Sequence, residues 1–387
     1  MKNNGNFTAN PFVYGKEVDG EYFYDRKDDF ASLVATLAGG SSNVVLYAPR
    51  RYGKTSLAKK ALDELSKRGF RCIYFDMMRV ESVRKFCAAY ASSAYALESG
   101  TVRAMRTVSK LLSSLRPKFT IGDDGTPAIE LDFASADCAT TVESALDLVE
   151  RLSSERSPVV VAFDEFQEIA TLSPDLPMEG IFRSCIQRHK HVRYLFLGSK
   201  THLVKRMFGD RSRPFYNSAA IQRLAIPALG ESAAFIRERF TSVGMKIDDE
   251  AVQGVLKASG GIPYYVQAVS SLSFDEAVAV GSRVVSPQIV KTAVSKLVAS
   301  KADLYETALQ SLSSAQRTLL SALAKEPCGR FDGNYRARHG VGSSSGLHSS
   351  LEVLLAKGLV EASQGKYALG DPIFALYLFS TPYQLFG

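Results

Sequence analysis

The stretch Val44-Val45-Leu46-Tyr47-Ala48-Pro49-Arg50-Arg51-Tyr52-Gly53-Lys54-Thr55-Ser56-Leu57 decides the fold. Four β-forming apolar residues run into a turn ending Gly-Lys-Thr, and a helical pattern follows at once in Leu57, Ala58, Ala61, Leu62 and Leu65. Strand, tight loop and helix in that order are the setting of a phosphate-binding loop. Backbone N–H groups of the turn and of the helix N-terminus wrap phosphate oxygens there, so the turn has to be tight. In that chemistry Lys54 places its charge on the β- and γ-phosphates of a nucleotide, and the Thr55 hydroxyl ligates Mg²⁺. Ala48, Pro49, Arg50, Arg51, Tyr52, Gly53, Lys54, Thr55 and Ser56 are therefore the expected nucleotide contacts. Ala48 stands where the pattern G-x-x-x-x-G-K-[ST] has its first Gly, a small loss of backbone freedom.

Phosphate binding alone is not hydrolysis, which also needs a metal held opposite the loop and a polarised water. Val159-Val160-Val161-Ala162-Phe163-Asp164-Glu165 reads as an apolar strand ending in two acids. Ligands gather at the C-terminal ends of strands in open α/β sheets. Asp164 is expected to hold Mg²⁺, directly or through water, and Glu165 to orient and deprotonate the attacking water. Paired acids also occur where a strand merely meets solvent; the company of Lys54 and Thr55 favours a site. Ser199 closes the next strand, Tyr194-Leu195-Phe196-Leu197-Gly198-Ser199, where it either senses a γ-phosphate or is an ordinary loop serine.

At 387 residues the chain exceeds one typical domain, and 46% hydrophobic with 22% charged residues suits a globular protein. No apolar run is long enough to cross a bilayer, and the N-terminus lacks the apolar core of a signal peptide. No membrane partner is expected. The five cysteines are odd in number and scattered without metal-ligand spacing, which points to reduced thiols in a cytoplasmic protein. The net charge of +7 is uneven: Ile181 to Arg223 carries ten Lys/Arg against the single acid Asp210. A second basic run comprises Arg103, Arg106, Lys110, Arg116 and Lys118. Such patches suit polyanions, although a solvated basic face has the same composition.

The remaining pattern predicts an aromatic strap over 1–30, a core over 31–228, an all-α lid over 229–300 and a winged helix-turn-helix over 301–387. Within the core a second strand, Phe70–Asp76, follows the loop helix and makes a βαβ unit with a parallel sheet. Residues 80–116 read as helical, Phe119–Phe133 as a hairpin, and 140–153 and 179–190 as helices. A short strand near Ala220–Leu224 completes the sheet. The lid reads as four helices broken by Ser259-Gly260-Gly261-Ile262-Pro263. The last domain follows from helices at Ala315–Lys325 and Ser344–Lys357, then Gly358–Glu361 and the turn Gln364–Tyr367.

Three segments carry a resemblance: Phe23 to Asp29, Ala48 to Leu57, and Phe163-Asp164-Glu165-Phe166-Gln167-Glu168. They look like the archaeal-type ATPase family of the STAND group of P-loop NTPases, related to AAA+ and origin-recognition ATPases. Phe196–Ser199, Gly260–Tyr264 and Leu369-Gly370-Asp371-Pro372-Ile373-Phe374 extend the similarity over nearly the whole chain. The resemblance implies ATP as ligand, with an ATPase core, a helical lid and a winged helix. It implies a G-R-E-x-E box packed near adenine, which Arg26 fits, with Asp25 and Lys27 where Gly and Glu would stand. Pro263 lies in the turn where AAA+ relatives carry a sensor arginine. Arg211 and Arg213 are arginine-finger candidates; without a finger from a neighbouring subunit, hydrolysis is slow.

Three functions fit. The first is a Mg²⁺-dependent, ATP/ADP-driven switch whose winged helix signals to a protein partner, possible also as a homo-oligomer. The second is a DNA-binding ATPase, and the third a nucleotide scaffold with little turnover. Residues 301–387 hold eight Lys/Arg against seven Asp/Glu, and the recognition helix of that domain opens Ser344-Ser345-Gly346-Leu347-His348-Ser349 without Arg or Lys. That argues against base contacts.

Overall fold

The computed structural model describes residues 9–15, 24, 26–40, 42–97, 102–113, 117–121, 125, 127–131, 138–173, 175–363 and 365–380. Most of the expected strap, Asp25 and the hairpin turn at 122–124 lie outside the described residues. The chain divides into two compact units, and each is taken by itself. Lys27–Ala48 with Lys54–Leu224 make one; Met1–Arg26, Pro49–Gly53 and Ala225–Gly387 make the other.

The first unit begins with α1 (Lys27–Gly39), β1 (Val44–Tyr47), α2 (Lys54–Lys67) and β2 (Arg71–Asp76). It continues with α3 (Val83–Ala96), α4 (Val102–Leu111), the antiparallel pair β3 (Lys118–Ile121) and β4 (Pro127–Glu130), α5 (Cys138–Leu152) and β5 (Val159–Asp164). It closes with α6 (Met178–Arg188), β6 (Val192–Gly198), α7 (Thr201–Gly209) and β7 (Ala220–Arg223). The sheet is parallel in the order β2-β5-β6-β1-β7, so β1 and β5 are separated by β6 alone. Every residue of β5 is buried. A strand covered on both faces has no polar alternation, which explains its apolar run.

Phe163 and Phe166 bracket the acids Asp164-Glu165 and are both buried among aromatic rings. Phe163 stacks near Tyr90, Tyr194 and Phe196, and the Phe166 centroid lies 4.4 Å from that of Phe196. Burial of each such ring is worth about 1.5–3 kcal/mol, which anchors the acids on both sides.

In the other unit come α8 (Leu229–Ser242), α9 (Asp249–Ser259), α10 (Pro263–Ala279), α11 (Pro287–Ser300) and α12 (Ala302–Gln310). Gly260 ends α9 in the left-handed conformation (φ 59°) and Pro263 opens α10 at its first turn. This is the stop-and-start chemistry expected of Gly and Pro. The last elements are α13 (Ser314–Lys325), α14 (Gly333–His339), α15 (Ser344–Ala356), the antiparallel wing β10 (Val360–Ser363) and β11 (Lys366–Leu369), and α16 (Pro372–Ser380). A capping box from Ser313 and Gln316 starts α13, and a bridge from Cys328 to Tyr367 completes the wing.

The α/β sheet with flanking helices, the helical stretch and the winged helix match the sequence expectation. The span 80–116 resolves into α3 and α4 rather than one run. The helices α7, α12, α14 and α16 and the two-residue pairing of β8 (Lys246–Ile247) with β9 (Val284–Val285) were not anticipated. Elements of seven to nine residues complete barely two turns, too few to establish a period.

Candidate functional site

The strand order places the ends of β1, β5 and β6 side by side. Tyr47 pairs with Gly198 and Phe163 with Phe196, so Ala48, Asp164 and Ser199 all lie at the C-terminal ends of their strands. Ala48 N–H donates to Gly198 O at 3.3 Å. Lys54 then opens α2, whose first-turn amides a helix cannot satisfy internally. These amides and the positive end of the helix dipole favour an anion.

Lys54 and Asp164 are both buried, at 5% exposure each. The Asp164 carboxylate accepts from three donors. Thr55 Oγ1 donates to Oδ2 at 2.8 Å, the Tyr74 phenol to the same oxygen at 2.5 Å, and Glu165 N–H to Oδ1 at 2.8 Å. Burial and the bond to Asp164 push the Tyr74 phenol well above its ordinary value, so it remains a donor.

Glu165 takes left-handed backbone angles (φ 52°, ψ 43°), a conformation rarely stable outside glycine and a mark of a constrained site. Its Oε2 accepts from Ser199 Oγ at 2.6 Å, Ser199 N–H at 3.2 Å and Gln167 Nε2 at 2.5 Å. Burial alone would raise this carboxyl. Hydrogen bonds from Ser199 and Gln167 and the Lys54 charge outweigh burial and hold it below the usual carboxylate range. Gln167, buried at 2% exposure, also donates to Glu168 Oε1 at 3.2 Å, and Glu168 pairs with Lys200 at 2.7 Å.

Gly198 leaves room for this arrangement. A Cβ there would collide with Val204 Cγ2 and come within 2.8 Å of Gln167 Oε1. Gly198→Ala is expected to cost about 1–3 kcal/mol of stability, as overpacking of a tight core does. A chemical-denaturation midpoint checks this; an unchanged midpoint would contradict the packing described.

In the second unit the arc Pro49–Gly53 has its own supports. Arg51 (φ 72°) and Gly53 (φ 85°) both adopt positive φ. Arg26, buried at 7% exposure, donates from Nη2 to Tyr52 O at 3.3 Å. Arg51 O accepts from Tyr264 N–H at 3.4 Å, which sets the arc beside Pro263 at the start of α10. The Arg51 guanidinium lies 5.2 Å from the Tyr264 ring centroid and 5.0 Å from that of Tyr265, and it pairs with Asp371 Oδ2 at 3.0 Å. Asp371 also accepts from the Tyr305 phenol at 3.1 Å and caps α16 through the Ile373 and Phe374 amides.

Lys54, Thr55, Asp164, Glu165 and Ser199 thus come together, and Arg26 and Pro263 are both placed against the loop arc. Arg50 is exposed and Ser56 is half-buried in the first turn of α2. Arg213 is ion-paired with Glu179, a buried acid, whereas Arg211 is exposed. Sequence reading missed Tyr74, Gln167 and the Arg51–Asp371 pair. The first had a signal: Cys72, Tyr74 and Asp76 alternate with the buried Ile73 and Phe75, placing the phenol on the other face of β2.

This parallel sheet with its phosphate loop, strand-end acid pair and polar residue on the adjacent strand defines a P-loop ATPase. Residues 23–269 match the family described as an ATPase domain predominantly from Archaea, and residues 303–380 match a probable winged helix domain. The chain belongs to that archaeal ATPase family. Among solved structures it is similar to the Walker-type ATPase PABY2304 of Pyrococcus abyssi, at 16% identity and TM-score 0.66, over 95% of this chain and 99% of that one. It is also similar to the Aeropyrum pernix ORC2 protein, solved in ADPNP–ADP complexes, at 14% identity and TM-score 0.56, over 96% and 97% of the two chains. The Aeropyrum pernix ORC1 protein, solved with DNA, aligns at 14% identity and TM-score 0.52, over 94% of each. At these identities the likeness is one of fold. No curated protein matches the chain.

Proposed function

We propose that this ATPase is Mg²⁺-dependent and works as a nucleotide-driven switch read out by its C-terminal winged helix. The division into a core at 31–228, a lid at 229–300 and a winged helix at 301–387 is part of that reading. The donor set suits the cation: a hydroxyl and a carboxylate 2.8 Å apart, both hard oxygen ligands, beside a lysine and a helix N-terminus. Among the described residues there is no group of three or more His, Cys, Asp or Glu that could by itself hold a metal ion. A loop that takes its remaining ligands from phosphate oxygens and water needs none. When bound, Mg²⁺ would neutralise charge on the β- and γ-phosphates. Thr55 and Asp164 would hold it.

The chain's own residues do the rest. Lys54 offsets the phosphate charge, and Ser199 presents a hydroxyl where the γ-phosphate is read. Glu165 orients the water and takes its proton as the oxygen bonds to phosphorus and ADP leaves. Arg26 and the start of α10 at Pro263 support the loop arc. Arg213 serves Glu179, so Arg211 is the better finger candidate for a second copy of this chain.

The switch reading rests on the ion pair between Arg51 of the phosphate loop and Asp371 of the C-terminal domain. Arg51 is 37% and Asp371 17% exposed, so the pair contributes no more than about 1 kcal/mol. A hold of that size is poised rather than locked, and a change in the loop's backbone can release it. Arg51→Ala should therefore raise the rate of limited proteolysis within the C-terminal domain about three- to fivefold, with nucleotide no longer altering it. In the wild type, ADP and a non-hydrolysable ATP analogue should give different rates. Equal cleavage in all states would overturn the switch.

Duplex DNA is a second reading, favoured by the winged-helix match. Against it, the exposed positions of α15 among the described side chains are Ser345, Gly346, His348, Ser349, Glu352 and Ala356, while Arg338 and His339 both engage Glu326. A protein partner suits that neutral surface better, and a salt titration of duplex binding separates the two. No helix among the described residues is long and apolar enough to cross a membrane. All five cysteines are free thiols, as a cytoplasmic setting would keep them.

A further inference from the structure

We infer that Tyr74 is a positioning residue for the metal-holding carboxylate, fixing Asp164 from the neighbouring strand alongside Thr55. This rests on the reading of Thr55 and Asp164 as the Mg²⁺ ligands. β2 and β5 run parallel in register, with Tyr74 opposite Ala162 and Asp76 opposite Asp164. The phenol reaches from one strand to the next to meet Asp164 Oδ2 at 2.5 Å, where Thr55 Oγ1 also donates at 2.8 Å. A carboxylate oxygen has two lone pairs for such bonds, and both are filled.

The two donors differ in kind. Thr55 is itself a ligand of the cation in the proposed site, so its tie to Asp164 is shared with that duty. Tyr74 also shares a hydrogen bond with the Thr55 side chain, but in the proposed site it is not a ligand of the cation. Its ring is flanked by Lys59 Nζ at 4.6 Å from the centroid, and its hydroxyl points at the acid. Phenylalanine would keep the ring packing and lose only the donor, which makes the role separable from the fold. A carboxylate that coordinates a metal is oriented by such outer hydrogen bonds, and their loss typically weakens metal affinity 10–100-fold.

The test is binding of a fluorescent ATP analogue to the full chain, titrated with MgCl₂ and repeated in EDTA, for wild type and Tyr74→Phe. Melting temperatures without nucleotide are measured in parallel. Tyr74→Phe is expected to raise the half-saturating Mg²⁺ concentration about tenfold or more, with affinity in EDTA and melting temperature unchanged. An unmoved Mg²⁺ midpoint overturns the role. A lowered midpoint overturns it too, since the phenol would then compete with the cation. Equal loss of affinity with and without Mg²⁺ shows a packing role instead and overturns it as well. A wild-type chain whose nucleotide binding ignores Mg²⁺ overturns the metal site itself, and the Tyr74 role with it.

Discussion

Glu165→Gln is expected to lower ATP turnover by about 10²–10⁴-fold while leaving nucleotide binding near the wild-type value. The amide has the size of the carboxylate and still offers an oxygen to Ser199 and Gln167, which bond Oε2 at 2.6 and 2.5 Å. What it lacks is the capacity to take a proton from water. At about 1.4 kcal/mol for each tenfold, the loss corresponds to roughly 3–6 kcal/mol of transition-state stabilisation. Phosphate release and equilibrium binding, measured on one preparation, check both halves. A variant that turns over normally would remove Glu165 from the chemistry.

Lys54→Ala should act on the other half of the cycle. Lys54 is buried at the start of α2 with its charge felt by Glu165. Truncating a buried, charge-assisted contact costs about 2–5 kcal/mol, and affinity for ATP should fall by about 30-fold or more. Titration calorimetry or displacement of a fluorescent analogue measures this. Binding within threefold of wild type would contradict the phosphate-loop assignment.

The core of the site was legible because its parts lie in local patterns. A strand, a Gly-Lys-Thr turn and a helix are contiguous in the chain, and the acids Asp164-Glu165 end an unbroken apolar strand. Ser199 followed from the same logic, one strand along. What was not legible comes from register and long-range pairing. Tyr74 meets Asp164 only because β2 aligns with β5, and 90 residues separate them. Asp371 lies 320 residues from Arg51, and no local pattern signals that pair. Gln167 was quoted within a motif, but its use depends on the left-handed turn at Glu165, which aims two side chains at one oxygen. Arg213 shows the opposite failure. Composition counted it as available charge, whereas the fold pairs it with Glu179.

The most direct measurement is steady-state phosphate release from ATP by the purified chain with Mg²⁺ and with EDTA, beside Glu165→Gln and Lys54→Ala. The account predicts release only for the wild type with Mg²⁺, with nucleotide retained by Glu165→Gln and lost by Lys54→Ala. A wild type that releases no more phosphate than Lys54→Ala, or that releases it equally in EDTA, would contradict it.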